Sequence, residues 1–122
     1  HVTAVEHQER WYEHVKASMP GNVNYVFNPT NYAAELSKHG ASFDVVVIDG
    51  QDRVVCAKHA PHGLTPRGVV VWDNADRDIY QEGYDYLFSH GFRRLDFDST
   101  GPIWVRSWTT TVFYRDGNCL GI

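Results

Sequence analysis

Apolar residues fall along this chain in two alternating rhythms. Residues 2–5 make a short apolar run that ends in Glu6-His7. From residue 8 to residue 19 the spacing turns helical, with Trp11, Val15 and Met19 four apart and Tyr12 beside them. Pro20-Gly21 stops that helix. Residues 22–27 alternate as a second strand, which Asn28-Pro29-Thr30 breaks. Thr30 stands as N-cap to a helix over 31–39, with Tyr32 and Leu36 inward and Gly40 as its stop.

Four consecutive large apolar residues, Val45, Val46, Val47 and Ile48, then stand between Asp44 and Asp49-Gly50. An unbroken β-branched run suits a strand buried on both faces of a parallel sheet. A helix is expected from about 52 to 60, then a turn-rich connection over 63–68. Residues 69–72 are a second fully apolar strand, ending in Asp73-Asn74. A helix over 79–90 carries Tyr80, Tyr84, Leu87 and Phe88 on one side, and Gly91 closes it. Residues 92–97 read as a strand and 98–106 as a loop with a Gly101-Pro102 turn signal. The last strand is 108–114. Strand and helix alternate nearly throughout, so the expected class is α/β, a mostly parallel sheet with helices on both faces and an antiparallel last strand on its edge.

Size and composition narrow the function. A chain of 122 residues is read as one domain over 1–122. The net charge of −4, with no Lys/Arg cluster, argues against nucleic acid as a partner. No apolar run approaches membrane-spanning length, and no signal-peptide pattern opens the chain. Cys56 and Cys119, the two cysteines, lie far apart, which favours a reducing, cytoplasmic setting over a disulfide framework. Cys56, among Val54, Val55 and Ala57, reads as a buried structural thiol. The chain begins at His1 and is already in a strand by residue 2, so a further segment is expected upstream.

The strand ends hold the candidate chemistry, because ligands of open α/β sheets bind outside the carboxyl ends of the strands. Glu6 is positioned to hold ribose hydroxyls if a first strand and its glycine-rich turn lie upstream, or else is a solvated strand-end glutamate. Asp49 and Asp73 end two runs expected side by side, and with Asn74 they offer three hard oxygen donors suited to Mg²⁺ or Ca²⁺. The alternative is that all three merely cap loops and helices. Arg53, Arg77 and Arg106 either face the same expected mouth or, as is usual for arginines in loops, are simply solvated. The seven histidines are scattered and match no zinc spacing.

Val5-Glu6-His7, then Trp11-Tyr12, then Val47-Ile48-Asp49-Gly50-Gln51-Asp52-Arg53 with Cys56, then Leu64-Thr65-Pro66-Arg67-Gly68-Val69-Val70-Val71-Trp72-Asp73-Asn74, resembles the class I S-adenosylmethionine-dependent methyltransferases. The likeness is nearest to a bacterial group that also carries Gly91-Phe92, Gly101-Pro102 and Trp108-Thr109-Thr110 in this order. It implies a Rossmann-like fold, from its second strand to its seventh. It implies S-adenosylmethionine as cofactor, Glu6 on the ribose, His7 and Asn28 near the adenine, and Asp49 between methyl donor and acceptor. In the metal-dependent members, the positions of Asp49, Asp73 and Asn74 hold a divalent cation. Those members carry a lysine three residues after the first aspartate, where this chain has Asp52.

The first strand and glycine-rich loop of that fold have no counterpart in these residues. The domain is therefore expected to be N-terminally incomplete and inactive as an isolated chain, with a small-molecule or glycan-type acceptor for any intact parent. Two other readings stand beside it. One is a non-catalytic α/β assembly domain, forming a homo-oligomer through its open sheet. The other is a metal-dependent hydrolase using Asp49 and Asp73.

Overall fold

The structure, a computed structural model, describes residues 1–100 and 107–122. The expected Gly101-Pro102 turn and Arg106 lie outside the described residues. The chain divides into two compact units, His1–Glu35 and Leu36–Ile122.

The first unit is a strand–helix–strand motif. Strand β1 (Val2–Glu6) and strand β2 (Val23–Phe27) pair in parallel, from Val2 opposite Val23 to Glu6 opposite Phe27. Helix α1 (Glu9–Lys16) joins them and stacks Tyr12 on Tyr25 at 4.8 Å and beside Phe27 at 5.2 Å. This helix stops three residues short of the expected end. Ser18 Oγ donates to the Val15 carbonyl at 2.8 Å, and such side-chain-to-backbone bonds close a last turn. After β2 the chain turns on Asn28, not on Thr30: Asn28 Oδ1 accepts the Asn31 amide at 2.9 Å. A 3-10 helix (Ala33–His39) then stands where an α-helix was expected.

The second unit holds a four-stranded sheet in the order β3-β4-β6-β5. Strand β3 (Phe43–Ile48) pairs in parallel with β4 (Leu64–Trp72), Val46 opposite Val70 and Ile48 opposite Trp72. Helix α2 (Arg53–Gly63) connects them and runs directly into β4. Residues expected as a loop are thus drawn into the strand, with a register irregularity between Phe43 and Val45. Gly68 permits it, since a Cβ there would lie 2.6 Å from Leu64 Cδ2 and 3.0 Å from the Phe43 carbonyl. Beyond β4 come a 3-10 turn (Asp78–Tyr80), helix α3 (Gln81–Ser89), strand β5 (Arg93–Thr100) and strand β6 (Ser107–Tyr114).

Two expectations are corrected here. The sheet is mixed rather than mostly parallel, because β6 runs antiparallel to both β4 and β5. And β6 does not lie on the edge but between those two strands, leaving β5 outermost. Side-chain chemistry explains the exchange. Strand β6 brings Thr111, Val112 and Phe113, all buried, whereas β5 brings Arg93, Arg94, Asp96 and Asp98 and is mostly exposed. A charged strand is tolerated at an edge and not in the middle. Where β5 carboxylates meet β6, threonines answer them: Thr111 Oγ1 donates to Asp96 at 2.5 Å and Thr109 Oγ1 to Asp98 at 2.6 Å.

The core gathers Val46, Ile48, Val70, Trp72 and Phe113 from the sheet with Ala57 and Ala60 of α2 and Tyr84 and Leu87 of α3. Both helices therefore cover the same sheet face in this unit, where helices on both faces were expected. Trp72, fully buried, lies edge-on to Tyr84 at 4.9 Å, and Tyr84 stacks on Phe113 at 5.7 Å. Gly83 lets α3 close onto that indole, since a Cβ there would sit 2.6 Å from Trp72 Cη2.

This contact yields a stability prediction. Gly83→Ala gains about 1 kcal/mol of helix propensity but must displace a buried ring, and overpacking costs about 1–3 kcal/mol. The expected result is a net loss on the order of 1 kcal/mol in urea denaturation. An unchanged or raised midpoint would refute the close packing.

Candidate functional site

In the second unit, the parallel pairing of β3 with β4 brings their carboxyl ends level. The Asp73 amide donates to the Ile48 carbonyl at 3.1 Å, so Asp49 and Asp73 emerge from adjacent strands. Both chains then turn sharply. Asp52 (φ 50°) and Asn74 (φ 53°) are the non-glycine residues in the left-handed region among those described. That conformation is uncommon for a residue with a Cβ, although Asp and Asn tolerate it best. Each follows the end of one of the two parallel strands, so the strain is local to this site.

The turns leave carbonyls without strand partners, and Arg53, the first residue of α2, satisfies them. Its Nε donates to the Gly50 carbonyl at 3.0 Å, and its Nη2 to the Asp49 carbonyl at 3.0 Å. Nη2 also reaches Asp49 Oδ1 at 3.3 Å, and Nη1 donates across to the Asp73 carbonyl. The guanidinium lies 5.7 Å over the Tyr80 ring, and its side chain is 10 % exposed. A planar fork of five donors suits this task where the point charge of a lysine would not.

Asp73 is held from its other side as well, because Thr110 Oγ1 donates to Asp73 Oδ1 at 2.9 Å. Asp49 lies beside both Asp73 and Arg53, with its side chain 64 % exposed. Desolvation first, and then the charge of Asp73 and a hydrogen bond with it, raise its pKa above the usual carboxylate range, against the opposing pull of Arg53. Beside this pair is an open pocket of about 330 Å³, lined by residues 50–55, Ile79 and Tyr80. Cys56 packs half-buried against the core, and burial above all pushes its thiol up to about 11.

Two of the oxygens expected for a divalent cation have other partners: Arg53 Nη2 stands against Asp49 Oδ1 and supplies positive charge there, and Thr110 Oγ1 donates to Asp73 Oδ1. Among the described residues no group of three His, Cys, Asp or Glu side chains is arranged to hold a metal. The expected Mg²⁺ therefore gains no support.

In the first unit, Glu6 ends β1 and begins the turn into α1. Its Oε1 accepts the amides of His7 at 2.8 Å and Gln8 at 2.7 Å and lies 3.3 Å from His7 Nδ1, while Oε2 takes part in none of these contacts. One carboxylate oxygen is thus spent on fixing the turn, and the other remains an acceptor. His7 is edge-on to Tyr32 at 5.6 Å. Asn28 is used structurally at both ends of its amide, since Nδ2 donates to Glu35 Oε2 at 2.8 Å and Oδ1 holds Asn31. The strand-end positions of Glu6, Asp49 and Asp73 were legible in the sequence. The roles of Arg53 and Thr110 were not: one sits four residues after Asp49, the other 37 residues after Asp73, joined to it only by the insertion of β6.

The pH dependence of the carboxylate pair is fixed by the sign of its shift. Asp49 binds its proton more tightly in the folded state. Its contribution is fully present below the unfolded carboxylate value of about 3.9 and is lost as pH rises through the higher folded value. Asp49→Asn, which cannot ionise, should melt higher than the native chain at pH 7, with the gap closing below about pH 4. Thermal melts across that range check this, and an Asn variant that melts lower at pH 7 would contradict it.

Comparison with known proteins bears on the fold alone. No protein-family model matches the chain, and no curated protein matches it in sequence. Among solved structures, it is similar to a SAM-dependent methyltransferase from Methanosarcina mazei, with a TM-score of 0.56, 13 % identity, and coverage of 91 % of this chain and 79 % of that one. It is also similar to a protein solved in work on the conversion of a disulfide bond into a thioacetal group during echinomycin biosynthesis. There the TM-score is 0.55, the identity 12 %, and the coverage 97 % of this chain and 68 % of the other. The fold is methyltransferase-like.

Proposed function

We propose that this chain is a methyltransferase domain, or part of one, that binds S-adenosylmethionine and in the intact protein directs its methyl group to an oxygen or nitrogen acceptor. The observation that carries the reading is the paired, braced carboxylates at the ends of β3 and β4, on a methyltransferase-like fold. Fold alone hosts many activities, so the residues must bear the argument.

The cofactor, when bound, supplies a methyl group on a positively charged sulfur. In the first unit, Glu6 would take the ribose: Oε2 is an uncommitted acceptor, and Oε1 is fixed by two backbone amides so that the carboxylate does not need ordering on binding. His7 would lie beside the adenine. Asn28 would contribute the turn after β2 rather than a direct contact, because its amide is already engaged.

In the second unit, Asp49 would orient the acceptor and take its proton. The surroundings that raise its proton affinity make it a stronger base than an ordinary surface carboxylate. Arg53 and Thr110 would act through Asp49 and Asp73 by fixing their positions, and alignment is the largest part of what such a transfer needs. No cation enters the scheme. The open pocket beside the Gly50 turn would receive the acceptor, with Val54, Val55 and Ile79 giving it apolar walls.

Calorimetric titration with S-adenosylhomocysteine tests this reading. Binding with a dissociation constant on the order of micromolar is expected. Glu6→Gln keeps an oxygen for the His7 and Gln8 amides but removes the charge, and should weaken binding roughly tenfold. Circular dichroism would confirm that the variant is folded. Absence of binding by the folded native chain, or equal binding by Glu6→Gln, would overturn the assignment.

A further inference from the structure

The open pocket of the second unit is walled by two segments, one following β3 and the other following β4. The first brings Val54 and Val55 from the opening turn of α2, and the second brings Ile79 and Tyr80. Ile79 is 75 % exposed, the most of any large apolar side chain among the described residues, and Val55 is 46 % exposed. Apolar side chains scattered singly over a surface need no explanation, whereas two that line one concavity from separate elements mark a binding site. Tyr80 gives that concavity a fixed wall, because its ring packs against both the Arg53 guanidinium at 5.7 Å and the Trp72 ring at 5.6 Å. Charge at the pocket is lopsided. Asp52 lines it and is exposed, and the Asp49 side chain beside it is exposed too. Arg53, the cation of the lining, is nearly buried, and its nitrogens are engaged by the carbonyls of Gly50, Asp49 and Asp73. Arg77 and Asp78, exposed next to Ile79 in sequence, offset each other and do not line the pocket.

We propose that this pocket takes a small apolar molecule bearing a hydroxyl or amine and no negative charge, its apolar body against Ile79 and Val55 and its polar group toward Asp49. The assignment rests on the methyltransferase reading, for which it names the class of acceptor. Apolar contact supplies the affinity, and the carboxylates supply the selection. A carboxylate or phosphate on the ligand would come to lie near Asp52 and Asp49, and the one cation of the lining is already engaged. Such like-charge contacts work against a partner. A sugar is disfavoured for a different reason, since the valine and isoleucine walls offer its hydroxyls no hydrogen-bonding partners.

Nitrogen–proton correlation NMR of the full chain, titrated with para-propylphenol, tests this at about pH 7, where a phenol is neutral and a carboxylate ionised. The amides of residues 50–55 and 79–80 should shift, with a dissociation constant on the order of millimolar. Para-hydroxybenzoate has the same ring and hydroxyl with a carboxylate in place of the alkyl group, and should bind roughly tenfold more weakly, as should methyl glucoside. Ile79→Ser changes an exposed side chain, so the circular dichroism spectrum should stay unchanged while propylphenol binding falls several-fold. Asp52→Asn keeps a residue that tolerates the left-handed turn but removes the charge, and should narrow the gap between propylphenol and hydroxybenzoate. S-adenosylhomocysteine added to the same sample separates this proposal from the reading beneath it. Binding of both ligands together supports the two alike. S-adenosylhomocysteine binding without propylphenol shifts at 50–55 and 79–80 would overturn the acceptor class and leave the cofactor reading standing. Equal binding of para-hydroxybenzoate, or displacement of propylphenol by S-adenosylhomocysteine, would overturn the acceptor class too. Propylphenol binding by a chain that ignores S-adenosylhomocysteine would overturn the acceptor role together with the methyltransferase reading.

Discussion

One buried guanidinium makes the carboxyl ends of two parallel strands compatible with each other. Strands β3 and β4 end level, and each enters a turn through a residue in the left-handed region, Asp52 or Asn74. Such ends would leave carbonyls without strand partners and two carboxylates side by side, both of which cost free energy. Arg53 answers both at once. It binds the carbonyls of Asp49, Gly50 and Asp73, and its charge opposes the desolvation and the Asp73 charge that together raise the pKa of Asp49. A site that stores strain needs surroundings that overdetermine it, and here the clamp, the Thr110 bond and the Tyr80 ring supply that.

The same clamp brings positive charge to a place that looked suited to a cation. Three oxygen-bearing side chains at adjacent strand ends satisfy the composition of a hard-metal site. The local charge is already balanced, however, by a group that is always protonated and that the fold holds in place. That bears on the methyltransferase reading, because one form of such chemistry relies on a divalent ion and the other on positioned carboxylates alone.

Much of the fold could be read from periodicity. The apolar runs at Val45–Ile48 and Val69–Trp72 are strands that pair in parallel, and the polar residues after them stand where ligands of such sheets bind. The arrangement beyond β4 could not be read in the same way. Whether the last strand lies at the edge or in the middle depends on which strand can better bear exposure, and the charges on β5 decide that only once both strands compete for the same neighbour. The 63–68 stretch looked like a loop because it holds Gly and Pro, yet parallel pairing to Phe43 absorbs it as an irregular strand. Arg53 was visible as a residue but not as a clamp, since its partners lie on two different strand ends, with Asp73 20 residues away in sequence.

The measurement that reaches the central claim most directly is hydrogen exchange of the native chain against Arg53→Met, followed by mass spectrometry. If the guanidinium holds the strand ends, the variant should exchange faster in the segments around 49–53 and 73–75, while β5 and β6 keep their protection. Exchange that is unchanged in those segments, or accelerated evenly through the whole unit, would contradict the claim that this one side chain secures the site.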